Sequence, residues 1–319
     1  MRRSQESGLA LLFALSAICL SAQLASAAPI ILGKANKVAD LRCDPGTGLC
    51  GSAAHFQPVA PLTMLSEAQS LLDKPAGDSA LQARSAGLVP SVNLRNADPA
   101  AQGDFTLPDF PDALLPFSKD SAAMPPGDDL NVAVRLSGYL NAMSTGAGQA
   151  VTFALSCDDA CSLALGGQTV IALADGTSGG CVTRQVSFSE GGLYSVEIVY
   201  FQNSGPGLLE LSRAMTAEPE GMQPRPLDPA KFQPIATTDL YSAITGQSSS
   251  CQECAASDAS CPGGNFCADG LCQVCNVSEH CGPLCQTCPA SARICNAGKC
   301  VSCTRDDTCP PGQSCVNGQ

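Results

Sequence analysis

The chain has 319 residues, 29 acidic against 17 basic side chains, a formal net charge of −12 and a pI near 4.5. That balance argues against nucleic acid as a partner, since phosphate binding needs clustered basic residues. It suits a protein working outside the cell, and a divalent cation wherever carboxylates converge.

The first 27 residues read as a secretion signal. Arg2 and Arg3 open it, Leu9 to Leu20 is an apolar run too short to span a bilayer, and Ala25-Ser26-Ala27 is a small-residue cleavage pattern. The mature chain is expected to begin near Ala28. An uncleaved anchor is the alternative, and the short run argues against it. A lipoprotein reading fails because Ile18 precedes Cys19. No later segment is long and apolar enough for a membrane helix.

The chain carries 20 cysteines, and Cys19 leaves with the signal. Behind an export signal, cysteines at this density indicate disulfides. The 30 Gly, 23 Pro and absence of Trp fit an all-β, loop-rich chain.

Residues 28–101 form an N-terminal region. Cys43 and Cys50 flank Asp44-Pro45-Gly46-Thr47-Gly48, a turn-rich loop that reads as a small disulfide clip. Leu62 to Leu72 has the pattern of a short helix. Residues 102–215 then alternate as strands do. Val132, Val134 and Leu136 make one, Val151, Phe153 and Leu155 another, and Tyr194, Val196, Ile198 and Tyr200 a third, with Leu208 to Leu211 a fourth. Gly166-Gly167 marks a tight hairpin. Short strands between turn residues predict an antiparallel sandwich or barrel.

Residues 216–250 form a linker. Pro219, Pro224, Pro226, Pro229 and Pro234 give its first part a semi-rigid character. Residues 251–319 follow as a cysteine-rich repeat array. Cys251, Cys254, Cys261, Cys267, Cys272, Cys275, Cys281, Cys285, Cys288, Cys295, Cys300, Cys303, Cys309 and Cys315 recur with C-x2-C spacing, in short units joined end to end. Few large apolar side chains lie between them, so disulfides must hold the fold. Neighbouring units are expected to share bridges and form a stiff rod. The competing zinc-ribbon reading needs reduced thiolates, a condition that export removes. Cys315-Val316-Asn317-Gly318-Gln319 matches the start of two earlier unit endings, but the closing cysteine is not present in the sequence. The expectation is that this is a fragment of a longer protein.

The segment Phe153 to Val170, with Ser156-Cys157-Asp158-Asp159 and Leu163-Ala164-Leu165-Gly166-Gly167, resembles the PA14 domain family. So do Gly191-Gly192-Leu193-Tyr194-Ser195-Val196-Glu197-Ile198-Val199-Tyr200 and the strand at Leu208 to Ser212. The match runs from about Leu130 to Arg213 and departs where the family has Trp, at Arg213, and Asp, at Gly166. The resemblance implies a PA14-like β-sandwich. In lectin-like members the paired aspartates hold calcium and a second loop adds an Asn. That implies Asp158, Asp159 and Asn203 as candidate calcium ligands, adjacent carboxylates being hard oxygen donors. The bland account is that the two aspartates cap a turn clipped by Cys157 and Cys161. Gln202, Asn203, Ser204, Gly205, Pro206 and Gly207 form a loop expected beside the aspartates, where a partner could be recognised, although these are ordinary hairpin residues too. Cys181 is a third cysteine here, with Cys157 or Cys161 as an available partner.

No catalytic constellation is legible. His55 and His280 are the two histidines, and no nucleophile-elbow motif accompanies them. The whole arrangement resembles the myxobacterial outer-membrane exchange receptor family, TraA. The stretch Cys272-Gln273-Val274-Cys275 through Cys285-Gln286-Thr287-Cys288-Pro289 is similar to that family's repeats. The resemblance implies a non-enzymatic receptor at the outer membrane or cell surface. It would recognise the same receptor on a sibling cell, after which outer membranes fuse and share lipids and proteins. A partner with an OmpA-like domain and a C-terminal anchoring segment are also implied. The rivals are a calcium-dependent surface lectin binding glycan, and an accessory module of a longer glycan-degrading enzyme.

Overall fold

The computed structural model describes residues 28–57, 60–95, 113–114, 131–173, 179–244, 251 and, discontinuously, 265–301. Residues 1–27, where the signal is expected, and residues 302–319, with Cys303, Cys309 and Cys315, lie outside the described residues, as do Cys254, Cys261 and Cys285.

The elements in chain order are β1 (Ile30–Leu32), β2 (Lys37–Ala39), β3 (Leu49–Phe56), α1 (Leu65–Leu72), β4 (Leu81–Val89), β5 (Asn93–Arg95), β6 (Ala113–Leu114), β7 (Val132–Ala142), β8 (Val151–Asp158), β9 (Ala160–Leu165), β10 (Gln168–Leu173), β11 (Gly180–Phe188), β12 (Gly192–Gln202) and β13 (Leu208–Ala214). Three short strands follow: β14 (Gly221–Gln223), β15 (Gln233–Pro234) and β16 (Leu240–Tyr241). They make two packed sheets. The first runs β1-β11-β8-β13-β5-β6, with β14 on β11 and β15 on β13. The second runs β10-β9-β12-β7-β3-β4, with β2 on β12 and β16 on β7.

Alternation fixes which face is inside. Phe153, Leu155 and Cys157 of β8 and Tyr194, Val196, Ile198 and Tyr200 of β12 point into one continuous buried core. Phe188 stands between Phe153 and Tyr194, its centroid 6.2 Å from one ring and 4.8 Å from the other. Burial of each such ring contributes about 2 kcal/mol. The β9–β10 hairpin turns through Gly166 and Gly167, with φ of 55° and 78°, the left-handed pair that a two-residue turn requires.

The expected boundaries do not separate bodies. Residues 28–101 supply β3, an interior strand paired with both β4 and β7, and β1 and β5 of the first sheet. Leu49-Cys50-Gly51-Ser52-Ala53-Ala54-His55-Phe56 is too rich in small side chains to read as a strand, yet small side chains suit its position. Ala54 and Phe56 face outward beneath α1, packed with Ala68, Leu72, Val199 and Phe201. The expected helix over 62–72 forms at Leu65–Leu72, with residues 62–64 as an extended lead-in.

The supposed linker is a packed strap. Thr152 Oγ1 donates to Thr216 O and Thr183 Oγ1 to Pro219 O, at 2.8 and 2.7 Å. Leu227 and Phe232 then press on Ala154, Cys181 and Ala214 on the outer face of the first sheet. Ile235 and Leu240 enter the main core. The prolines keep the strap from becoming a long strand, and its apolar anchors hold it down.

The clip expected between Cys43 and Cys50 is absent. Cys50 lies on the outer face of β3 and bonds to Cys251, 201 residues on, with a Cα separation of 4.9 Å. Cys43 is an exposed free thiol. Its loop is held by backbone bonds instead: Gly46 N to Thr238 O and Gly48 N to Leu240 O. Those bonds carry the loop onto the strap and away from closure on itself. Cys157 bonds to Cys161, so Cys181 pairs with neither; it is buried under Leu227 and Phe232.

Among the described residues the cysteine-rich region forms three two-stranded hairpins, β17 (Asn265–Ala268) with β18 (Leu271–Val274), β19 (Asn276–Val277) with β20 (His280–Cys281), and β21 (Ile294–Asn296) with β22 (Lys299–Val301). Cys267 and Cys272 face each other across the first. Cys281 bonds to Cys295 and Cys288 to Cys300, so the bridges interleave between units. The sulfurs of Cys281, Cys288 and Cys300 lie within 4.8 Å of one another, but each is already bonded to another sulfur. Zinc needs thiolates, and these three have none to offer.

Candidate functional site

Two crossovers between the sheets lie side by side at one end of the sandwich. β8 of the first sheet passes through Asp159 into β9 of the second, and β12 of the second passes through residues 203–207 into β13 of the first. The Cys157–Cys161 bond closes the first crossover from inside, joining the sheets with Cα atoms 6.2 Å apart.

Asp158 and Asp159 are both half-buried, joined by a cis peptide bond. Burial, then the neighbouring Asp159 charge, then a hydrogen bond between the two carboxyls push Asp158 up to about 6, against the pull of Arg225. Ionising Asp158 is thus costly beside its neighbour in a half-buried corner. Tyr200 Oη donates to Asp158 O at 2.7 Å, and Asp159 N donates to Phe201 O at 3.3 Å. Gly179, at φ 59°, closes over this corner. A Cβ there would stand 2.9 Å from Asp158 Cβ and Cγ, so only glycine lets the β11 lead-in approach.

The loop residues do unlike things. Gln202 is fully buried. Its Oε1 accepts from Tyr200 Oη at 3.0 Å, and its Nε2 donates to Ser204 O and Gly205 O at 2.7 and 3.3 Å. It braces the loop from within and cannot touch a partner. Ser204 and Gly205 are exposed, Pro206 is half-buried and Gly207 is buried. The recognition surface expected over 202–207 therefore narrows to 204–206, because the unpaired amide of a buried Gln would be costly and the loop carbonyls satisfy it.

Asn203 sits beside the carboxyls, but its side chain turns away from them. Its backbone N donates to Asp159 Oδ2 at 2.8 Å. Its Oδ1 accepts from Leu62 N at 2.7 Å and its Nδ2 donates to Leu62 O at 3.0 Å. Three expected ligands thus meet at one corner, yet two of them, Asp159 and Asn203, already have protein partners. For calcium, Asp158 and the second oxygen of Asp159 offer hard donors of the right kind, short of the six to eight that the ion takes. Tyr200, Gly179, Arg225 and Leu62 shape the corner, and none was singled out by residue type. The Gly179-Gly180 doublet ahead of β11 was the available signal.

A two-sheet sandwich whose crossover loops gather at one end, with paired aspartates there and a cysteine-rich array following in the chain, is a PA14-like β-sandwich of the kind the sequence resembles. Over residues 31–253 the chain matches the model of the family described as outer membrane exchange protein TraA, N-terminal domain. The chain belongs to that family.

Several solved structures are similar at low identity. The PA14 domain of MpAFP antifreeze protein is 14% identical over 65% of this chain and 96% of that one, with a TM-score of 0.42. The PA14 sugar-binding domain from an RTX adhesin is 16% identical over 62% and 99%, at 0.40. The epithelial adhesin 6 A domain from Candida glabrata, in complex with Galb1-3GlcNAc, is 16% identical over 66% and 93%, at 0.38. A match to an anti-sigma factor domain-containing protein, at 13% identity and 0.38, covers 64% of this chain and spans 50% of that one. No curated protein matches the chain. Among the described residues, no helix is long and apolar enough to cross a membrane.

Proposed function

We propose that this sandwich is a non-catalytic recognition head that binds the same protein on a neighbouring cell, bringing outer membranes together for fusion and exchange of lipids and proteins. The observation that supports this most is the family match, which spans the sandwich, its strap and the crossover tip together. At that tip Ser204 and Gly205 project on a loop stiffened by the buried Gln202, so a partner meets a preformed surface. The interleaved disulfides of the array would hold the head away from the membrane, and a partner with an OmpA-like domain would act with it there. Beads coated with the full chain should cluster without added sugar, and exchanging Ser204–Pro206 for a relative's residues should change which beads cluster together. Unchanged partner choice would remove the loop from this account.

A second reading is favoured by one specific feature, the adjacency of the half-buried Asp158 and Asp159. A divalent cation between them would relieve the like-charge contact, and calcium held by Asp158, Asp159 and Asn203 could bind glycan hydroxyls. That reading requires Asn203 Oδ1 to reach the ion through its second lone pair or to leave Leu62. Calorimetric titration with calcium, followed by a glycan array with and without chelator, tests it. Absence of heat with calcium up to millimolar concentration would remove the lectin.

A further inference from the structure

The outer faces of the two sheets are covered differently. Over the first sheet, the strap satisfies outward polar side chains. Thr152, Thr183 and Gln185 all donate to strap carbonyls, the last through Nε2 to Glu218 O at 2.9 Å. Over the second sheet, α1 covers the half that carries Val199 and Phe201 of β12. Further back along the same strands the outward positions become hydroxylated or charged. Ser195 and Glu197 of β12 pair with Tyr139 and Ser137 of β7, and Ala164 of β9 pairs with Glu197 from the other side. Small side chains on three adjacent strands, at Ala164, Ser195 and Ser137, leave a trough between taller neighbours.

The trough is a cleft of about 530 Å³, within the size range of small-ligand sites. Cys50 and Ser242 wall one side, and Gly167 and Thr169 of the β9–β10 hairpin wall the other. Ser137, Tyr139, Thr169, Ser195 and Glu197 all line it, and their side chains have no hydrogen-bond or ion-pair partner among the described residues. Polar groups gathered in a concavity and left unbonded by the protein bind water, or a ligand that replaces it. The lining selects the ligand. It contains no basic side chain and one carboxylate, so an anion would be repelled. Tyr139 is its one aromatic ring, too little apolar surface for a greasy ligand. A cationic amine would use Glu197 and leave the hydroxyls idle. A sugar uses all of it: its hydroxyls both donate and accept, as those of Ser, Thr and Tyr do, and its C–H face suits the body of a tyrosine ring.

We propose that this cleft binds an uncharged saccharide, with Glu197 accepting from sugar hydroxyls and the half-buried Tyr139 ring lying against a sugar face. The cleft lies on the face of the second sheet, apart from the crossover tip, and uses no metal. It stands independently of the homotypic reading and of the calcium reading above.

The test is an array of neutral oligosaccharides exposed to the full chain in EDTA, where binding to at least one of them is expected. The saccharide that binds is then titrated into variants whose circular dichroism matches the parent. Glu197→Gln keeps the shape of an exposed side chain and removes the charged acceptor, and should weaken binding about tenfold. Ser195→Gln fills the trough and should weaken it by about the same factor or more. Ile31→Gln, on an exposed position of β1 in the other sheet, should bind within about twofold of the parent. An array blank in EDTA overturns the proposal. Binding that appears only with calcium also overturns it, and assigns the sugar to the aspartate corner. Parental affinity in Glu197→Gln or in Ser195→Gln overturns it as well. If Ser195→Gln does not fold, Ser195→Asn takes its place with the same two outcomes.

Discussion

The sandwich and the cysteine-rich array reach a fixed structure by opposite routes. The sandwich buries Phe153, Phe188, Tyr194 and Tyr200 between two sheets, and its Cys157–Cys161 bond merely closes a corner that packing already holds. The array has short hairpins with few large apolar residues, and its interleaved Cys281–Cys295 and Cys288–Cys300 bonds do what burial does elsewhere. A region held by packing is sensitive to volume changes and keeps its fold in reductant, though with less stability to spare, while a region held by bridges is the reverse.

Reduction is the sharpest way to break that comparison. With excess dithiothreitol, amide protection in β17 to β22 should vanish while β7, β8 and β12 stay protected in hydrogen exchange. Retained protection in the array would mean that packing holds it after all. Next in size is Cys50→Ala with Cys251→Ala. Releasing a loop of 201 residues removes up to about 5 kcal/mol on a chain-entropy basis. Denaturant melts should show that loss in the sandwich together with separate melting of the array. Phe153→Ala should cost the sandwich about 4 kcal/mol by leaving a cavity, with no change in array protection.

The smallest effect concerns pH. Asp158 titrates at about 6 in the fold, against about 3.9 unfolded. The folded state therefore holds this proton more tightly, and stability in calcium-free buffer should rise as pH falls from 7 towards 4. Because the group is half open to solvent, the gain is about 1 kcal/mol, less than the full linkage value. Asp158→Asn should flatten that slope, and calcium, if it binds, should reverse it. Melting curves at pH 7 and 5 read both.

The sequence made some of this visible through side-chain size. β7, β8 and β12 carry large alternating apolar residues, and Asp158-Asp159 declares its chemistry by type. β3 stayed hidden because small side chains carry no alternation signal, although the sheet needs them there. The strap was hidden because its prolines dominate a local reading, while the anchors Leu227, Phe232, Ile235 and Leu240 act only through tertiary contact. Gln202 was misread for a similar reason. A polar residue suggests solvent, and only the fold supplies the Tyr200 hydroxyl and loop carbonyls that allow it to be interior. The partner of Cys50 could not be found by spacing, since local spacing favours Cys43.

The bond between Cys50 and Cys251 has a topological consequence. It turns residues 50–251 into a covalent macrocycle. A single protease cut in any loop of that stretch opens the ring and yields no separate pieces, so the nicked chain runs at full mass on a non-reducing gel and splits only once thiol is added. A surface protein so closed can be clipped by an extracellular protease and still stay tethered.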